Sequence, residues 1–214
     1  MNRPITRVAP TRTTLTALTA ALMLAALGAC ASSDSAPTKA AAASETKAAT
    51  ETKAHTPPTT AQLEPYQCGT VQRMHTLDGV FLASQPAAAD FEQASKGGIK
   101  TVINNRHASE TPDFDEKAIV EGLGMTYISL PYNGEAELTD DVFTRARELL
   151  ASAQRPILMH CGSANRTGAL WLAYRALDGG LSLDAARAEA KVVGLKSPAY
   201  EAKAVDYVKR KGGK

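Results

Sequence analysis

The chain reads as an α/β protein with a mostly parallel central sheet flanked by helices. Short apolar or β-branched runs alternate with amphipathic stretches of helical length, the pattern of strands joined by crossover helices. The run Ile99 to Ile103 has the β-branched character of a strand buried in a sheet. Glycines fall where one element should end and the next begin.

Taken in order, Val80 to Ser84 is expected to be an early strand. Ser84-Gln85-Pro86 opens a new element, with Pro86 suited to a first helical turn, and Ala87 to Ser95 then forms a helix closed by Gly97-Gly98. Ile99 to Ile103 is a strand, followed by the loop Asn104-Asn105-Arg106-His107. Asp113 to Leu123 is a helix ended by Gly124, Met125 to Leu130 a strand, and Pro131 to Leu138 a loop. Thr139 is expected to cap a helix from Asp140 to about Ala153, whose first turn carries Asp140 and Asp141. Pro156 to His160 is the strand that delivers Cys161. Three helices close the chain: Arg166 to Leu177, Ser182 to Val193 and Pro198 to about Arg210. In sheets of this kind ligands sit at the carboxyl ends of strands. Cys161 lies at such an end.

The first third of the 214 residues has a different character. Arg3, Arg7 and Arg12 precede the apolar run Leu15 to Leu27, too short to span a bilayer comfortably and typical of a secretory signal. The run ends in Leu27-Gly28-Ala29-Cys30, which resembles the lipobox of bacterial lipoproteins, whose cysteine becomes the lipidated first residue. The other reading is a plain signal cut after an Ala-x-Ala-like site, with Cys30 incidental. On the lipoprotein reading residues 1–29 are a signal peptide, and Cys30 anchors the protein on the periplasmic side of the bacterial envelope, at the outer membrane. Residues 30–63 are rich in Ala, Thr, Ser, Lys and Pro and almost lack large apolar side chains, so a disordered tether is expected there rather than a helix through the repeats Glu45 to Ala48 and Glu51 to Ala54. Residues 64–214 form the folded domain. The full chain holds 24 basic and 22 acidic residues; without the three arginines of the signal, 21 basic face 22 acidic, and no nucleic-acid footprint remains.

The chemistry concentrates in His160-Cys161-Gly162-Ser163-Ala164-Asn165-Arg166-Thr167-Gly168. A thiol at a strand end faces a helix N-terminus, where N–H groups and the helix dipole favour an anion, and a thiolate over a thiol. Gly162, Ser163, Ala164 and Asn165 are small enough for successive amides to converge on that anion. Arg166 offers a planar fork for phosphate oxygens, and the Thr167 hydroxyl is expected beside the sulfur. His160 either orients the loop or is a satisfied core histidine. Arg106, also expected at a strand end, either widens the positive potential or makes a surface ion pair. Trp171 and Tyr174 share the apolar face of their helix with Leu170 and Leu177, and read as core. Cys68 either bridges Cys161 or stays a free thiol near the start of the domain. No metal-ligand spacing is present, and no cofactor is expected.

His-Cys, a short loop, then Arg-Thr resembles the signature of the cysteine-dependent phosphatase superfamily. More closely, the sequence is similar to the phosphatase-like domain of beta-lactamase hydrolase-like proteins. The resemblance runs from about Gly79 to the C-terminus through Phe81 to Pro86, Thr101 to Arg106, His160 to Trp171 and the segment around Leu181 to Ala186. It implies a cysteine-phosphatase fold, Cys161 as phosphocysteine-forming nucleophile, Arg166 as the phosphoryl clamp, and the amides of Gly162 to Arg166 as the cradle for a phosphorylated substrate. Tyrosine and dual-specificity phosphatases place five residues between Cys and Arg, whereas four stand here, the length found in rhodanese-type sulfurtransferases that carry a persulfide. The general acid of the superfamily is usually an Asp from a loop some thirty residues upstream; here that loop is Pro131 to Glu137, and Glu135 is its candidate. Sulfur transfer, and a weakly active anion- or phosphopeptide-binding module without an acid, are the alternatives to phosphate-monoester hydrolysis.

Overall fold

The computed structural model describes residues 62–110 and 113–212. The expectations for the signal peptide, Cys30 and nearly all of the tether lie outside the described residues. Six strands form one sheet: β1 (Glu64–Pro65), β2 (Met74–Leu77), β3 (Val80–Ala83), β4 (Thr101–Asn104), β5 (Thr126–Ser129) and β6 (Ile157–His160), in the order β1-β2-β3-β6-β4-β5. The pairs β3–β6, β6–β4 and β4–β5 are parallel, and β1–β2–β3 antiparallel. The mostly parallel sheet is as expected. The antiparallel β1 and β2 were not expected: Glu64-Pro65 and Met74-His75-Thr76-Leu77 are short and polar-interrupted, with no periodicity of their own to announce them.

Helices α1 (Ala88–Lys96), α2 (Glu116–Gly122), α3 (Asp140–Ser152), α4 (Asn165–Leu177), α5 (Leu183–Val193) and α6 (Pro198–Arg210) cover the sheet. Successive side chains of a strand point to opposite faces, and the buried residues divide accordingly. On one face Val80, Leu82, Ile103, Ile157 and Met159 pack with α3 to α6; on the other Phe81, Ala83, Val102 and Leu158 pack with Phe91, Val120 and Met125 of the α1–α2 side. The central strand β6 is therefore buried throughout, which is why its sequence reads as a continuous apolar run.

Several boundaries move for local reasons. Pro86 lies outside α1, ahead of the cap Ala87; the Asp90 carboxylate accepts from the Ala87 amide at 2.8 Å and from Thr70 as well, and so closes the helix end. α2 starts at Glu116 rather than Asp113, because Asp115 caps it through the Ala118 amide at 3.0 Å. Thr139 stands at the N-cap of α3 but its side chain makes no capping bond, and Asp140 is held instead by Arg210 of α6 at 2.6 Å. α4 begins one residue early, at Asn165, while Ser182 and Ser197 cap α5 and α6. Trp171 is buried, with Tyr174 partly buried beside it, as expected of core residues. At Gly168 a Cβ would sit 2.9 Å from the Leu195 amide nitrogen and 3.0 Å from the Ala190 carbonyl, so α4 approaches α5 at backbone distance only because that residue has no side chain.

Candidate active site

The strand β6 ends at His160, and Cys161 follows at its carboxyl end, 1% exposed, with its amide bonded to the Ala83 carbonyl at 3.3 Å. The loop then turns: the Gly162 carbonyl accepts from the Gln85 amide at 3.3 Å, Ser163 pairs with Ser84, and Ala164 takes a left-handed conformation at φ 65° as the N-cap of α4. A left-handed alanine is strained by about 1 kcal/mol or more. Burial of its methyl in the core and the Gly168 amide on its carbonyl at 2.9 Å hold it there. The first-turn N–H groups of a helix have no intrahelical acceptors, so the end of α4 presents free donors beside the sulfur.

The side chains of the motif divide. Arg166 is buried, and its guanidinium grips Glu110 through both nitrogens at 2.7 Å and donates to the Tyr132 carbonyl at 2.9 Å. Tyr132 returns its hydroxyl to the Arg166 carbonyl at 2.6 Å. Burial works against the Arg166 charge, but the Glu110 bonds and the nearby Cys161 sulfur outweigh it and hold the guanidinium more firmly protonated than usual. Burial, and next Cys161, push the Tyr132 phenol well up, so it stays a neutral donor. Asn165 turns its side-chain oxygen to the amides of Lys196 and Ser197, at 2.7 and 3.0 Å, and ties the α5–α6 connection to the loop. The Thr167 hydroxyl bonds Asn105 at 3.4 Å, a partner the sequence reading did not give it.

Beneath the loop runs a buried polar chain. His160 Nε2 meets Glu116 at 2.9 Å, Gln85 donates to the other Glu116 oxygen at 2.8 Å, and Arg106 donates to Gln85 at 2.5 Å. Burial raises the Glu116 carboxyl, but His160 above all, then Gln85 and Arg106, bring it below the ordinary range. His160 is thus a core histidine with a carboxylate partner. Arg106 makes no ion pair among the described residues; it lies between two carboxylates, and its charge lowers both Glu110 and Glu116.

The loop 131–138 carries Glu135 and Glu137 on the exposed side of the site. Glu137 is committed: it bonds His107 at 2.6 Å and the Asn133 amide at 2.8 Å, and these bonds hold its carboxyl low. Glu135 is exposed and makes no bond among the described residues. Cys68 and Cys161 are both free thiols, and burial, then Asp90, pushes the Cys68 thiol up.

Sequence reasoning missed Glu110 and Tyr132. Glu110 sits in a single 3-10 turn, Ala108–Glu110, with no periodicity around it; the usable signal was its place just beyond the carboxyl end of β4, where ligands of such sheets gather.

Residues 73–178 match the phosphatase-like domain of beta-lactamase hydrolase-like proteins. A beta-lactamase hydrolase-like protein of Agrobacterium fabrum is 32% identical over 102 residues, 46% of this chain but only 23% of that protein's length. Among solved structures the fold is similar to the Neisseria meningitidis protein nma1982, with TM-score 0.51, 25% identity, and coverage of 60% of this chain and 92% of that one. It is also similar to TpbA of P. aeruginosa (TM-score 0.52, 22% identity, 70% and 90% covered) and to PTPMT1 (TM-score 0.54, 16% identity, 64% and 94% covered). A cysteine at a strand end, an arginine on the next helix and these likenesses converge: residues 73–178 are similar to the phosphatase-like domain of beta-lactamase hydrolase-like proteins, and the fold is the one these phosphatase structures share.

Proposed function

We propose that this domain is a cysteine-dependent phosphatase that hydrolyses a phosphate monoester through a phosphocysteine at Cys161. The observation that carries the reading is the Glu110–Arg166 pair: a planar dianion-binding fork beside the sulfur already holds a carboxylate with both nitrogens, the geometry a phosphoryl group would take. In the first step the Cys161 sulfur attacks phosphorus as the ester oxygen leaves with a proton. In the second, water attacks phosphorus, the S–P bond breaks, and inorganic phosphate departs. The amides of Gly162, Ser163, Ala164, Asn165 and Arg166 and the Arg166 guanidinium carry the charge of both transition states.

The proton donor is chosen by elimination. Glu110 is held down to about 2, first by its bonds from Arg166, and is ionised at neutral pH. Glu137 is tied to His107 and Asn133. Glu135 is the uncommitted carboxyl of the loop, and next to Gly134 it can swing over the site. Glu135→Gln should slow alkyl phosphates more than nitrophenyl phosphate, whose leaving group needs no proton. An equal effect on both removes Glu135 from the mechanism. Arg106, half-buried between Glu110 and Glu116, extends the positive field toward the substrate. Thr167, behind the loop on Asn105, steadies the first turn of α4.

The four-residue spacing from Cys161 to Arg166 favours one second reading, sulfur transfer through a persulfide on the same sulfur. Assay on an aryl phosphate, on phosphotyrosine (with which TpbA has been crystallised) and on thiosulfate with cyanide separates the two. Phosphate release lost in Cys161→Ser supports the phosphatase; thiocyanate formation alone overturns it. Anion binding with neither activity leaves a phosphate-binding module.

We further propose that Cys30 carries the lipid anchor and holds the domain in the envelope on a tether. No helix among the described residues is long and apolar enough to cross a membrane. Labelling cells with radioactive palmitate tests the anchor: label in the wild-type chain, absent from Cys30→Ser, is the expected result.

A further inference from the structure

Beside the catalytic loop lies a cavity of about 180 Å³, lined by Gln72, Arg73, Ser84, Gly162, Ser163 and Lys196. Its wall starts one residue after the nucleophile. Consecutive Cα atoms are about 3.8 Å apart, so Gly162 and Ser163 lie within about 8 Å of Cys161 along the chain. The lining holds two cations and no carboxylate. Among the described residues neither Arg73 nor Lys196 takes part in an ion pair, although most other arginines of the domain do.

Both cations are brought there by specific structure. The Arg73 amide donates to Ser84 Oγ at 3.2 Å, and Ser84 in turn pairs with Ser163 of the catalytic loop. The Arg73 stem runs over Gly194: a Cβ at that position would lie 3.1 Å from Arg73 Cδ, 3.0 Å from Ala164 Cβ and 3.2 Å from the Ser163 carbonyl. Glycine at 194 therefore lets the arginine and the loop close on each other. The Lys196 backbone is fixed by its amide on Asn165, the residue that opens α4, and its exposed side chain lines the cavity. Two cations without a carboxylate partner among the described residues, brought from different elements to one cavity beside the loop, form a positive field for a second anion.

We propose that Arg73 and Lys196 form a second anion subsite, and that the preferred substrate is a phosphate monoester carrying another phosphate that reaches this adjoining cavity. The subsite rests on the phosphatase reading for its place in turnover, but its anion binding is independent of catalysis. Gln72 and Ser163 supply the neutral donors that orient the second phosphate between the cations.

Turnover of fructose 1,6-bisphosphate against fructose 6-phosphate tests it, with the binding of tripolyphosphate against inorganic phosphate measured by calorimetry on Cys161→Ser protein. The wild type should favour the bisphosphate in kcat/KM by about tenfold or more, and Arg73→Gln/Lys196→Gln should bring the ratio near one. Lys196→Glu, on an exposed side chain that the fold does not need, should lower the ratio by about threefold alone. No preference in the wild type, or a preference that survives the double substitution, overturns the proposal. If neither sugar phosphate is hydrolysed, the phosphatase reading still stands or falls on the aryl phosphate and phosphotyrosine assays, and calorimetry alone decides the subsite. Tripolyphosphate binding tighter than phosphate and weakened by the substitutions upholds it; equal binding of the two refutes it.

Discussion

Two carboxylates flank the Cys161 loop, and they are held by opposite means. Glu116, beneath it, is 1% exposed and meets a fully buried histidine; Glu110, above it, is 26% exposed and meets Arg166. The lower pair is sealed among Gln85, Arg106 and the Phe91 ring, where an unpaired charge has nowhere to go. The upper pair opens to solvent, and on the proposed function its arginine is the group a phosphoryl would claim. The difference teaches that a carboxylate contact at a site is not one kind of thing: the lower one is sealed into the fold, and the upper one stands open to exchange under the proposed function.

Removing the sulfur between the two pairs is the largest perturbation. Cys161→Ser should lower phosphate-ester turnover by at least about 10³-fold, while leaving the thermal midpoint within a few degrees, because the hydrogen bonds of both pairs are made without the thiol. Breaking the lower pair comes next. Glu116→Ala should destabilise the domain by about 3–5 kcal/mol, visible as a midpoint about 10 °C lower, since it strands His160 in the core. A change below about 1 kcal/mol would erase the contrast drawn above.

The upper pair should respond in affinity. Glu110→Gln should tighten inorganic phosphate binding about three- to tenfold by freeing the Arg166 fork. Weaker binding would mean that the carboxylate serves mainly to aim the arginine. Its pH signature follows from sign. The Glu110 carboxyl is depressed to about 2 in the fold, so the pair stabilises above the unfolded value near 4.5 and is lost as pH falls through 2. At a quarter-exposed position this is worth about 1–2 kcal/mol, and the pH–stability curve of Glu110→Gln should be flatter between those limits. The smallest effect belongs to the rim: His107→Ala should speed hydrogen exchange at the Asn133 amide, which Glu137 holds, without moving the thermal midpoint.

Much of this was readable in the sequence where a period or a cap dominates. Ile157 to His160 had to be buried on both faces, and α6 with Ser197, Pro198 and a basic last turn was fully spelled out. The antiparallel edge was not, because a two-residue strand has no pattern. In the site, Cys161 and Arg166 stood out by residue type and spacing. Glu110 and Tyr132 did not: they lie 56 and 34 residues from Arg166, and only the closure of the sheet brings them together. The Thr167 hydroxyl, expected beside the sulfur by adjacency, bonds Asn105, a partner that lies 62 residues away in the chain.

The glycine that ends the Arg-Thr-Gly string has no part in the chemistry. Gly168 sets the spacing of α4 and α5, where any side chain would strike the Leu195 and Ala190 backbone. A descendant of this domain that had given up hydrolysis for scaffolding could shed Cys161 and Arg166 at once, yet would still be bound to keep Gly168. The short string of letters thus mixes two records, one of a trade that can be abandoned and one of architecture that cannot. When such strings are used to sort enzymes from their retired cousins, the glycine should carry no vote.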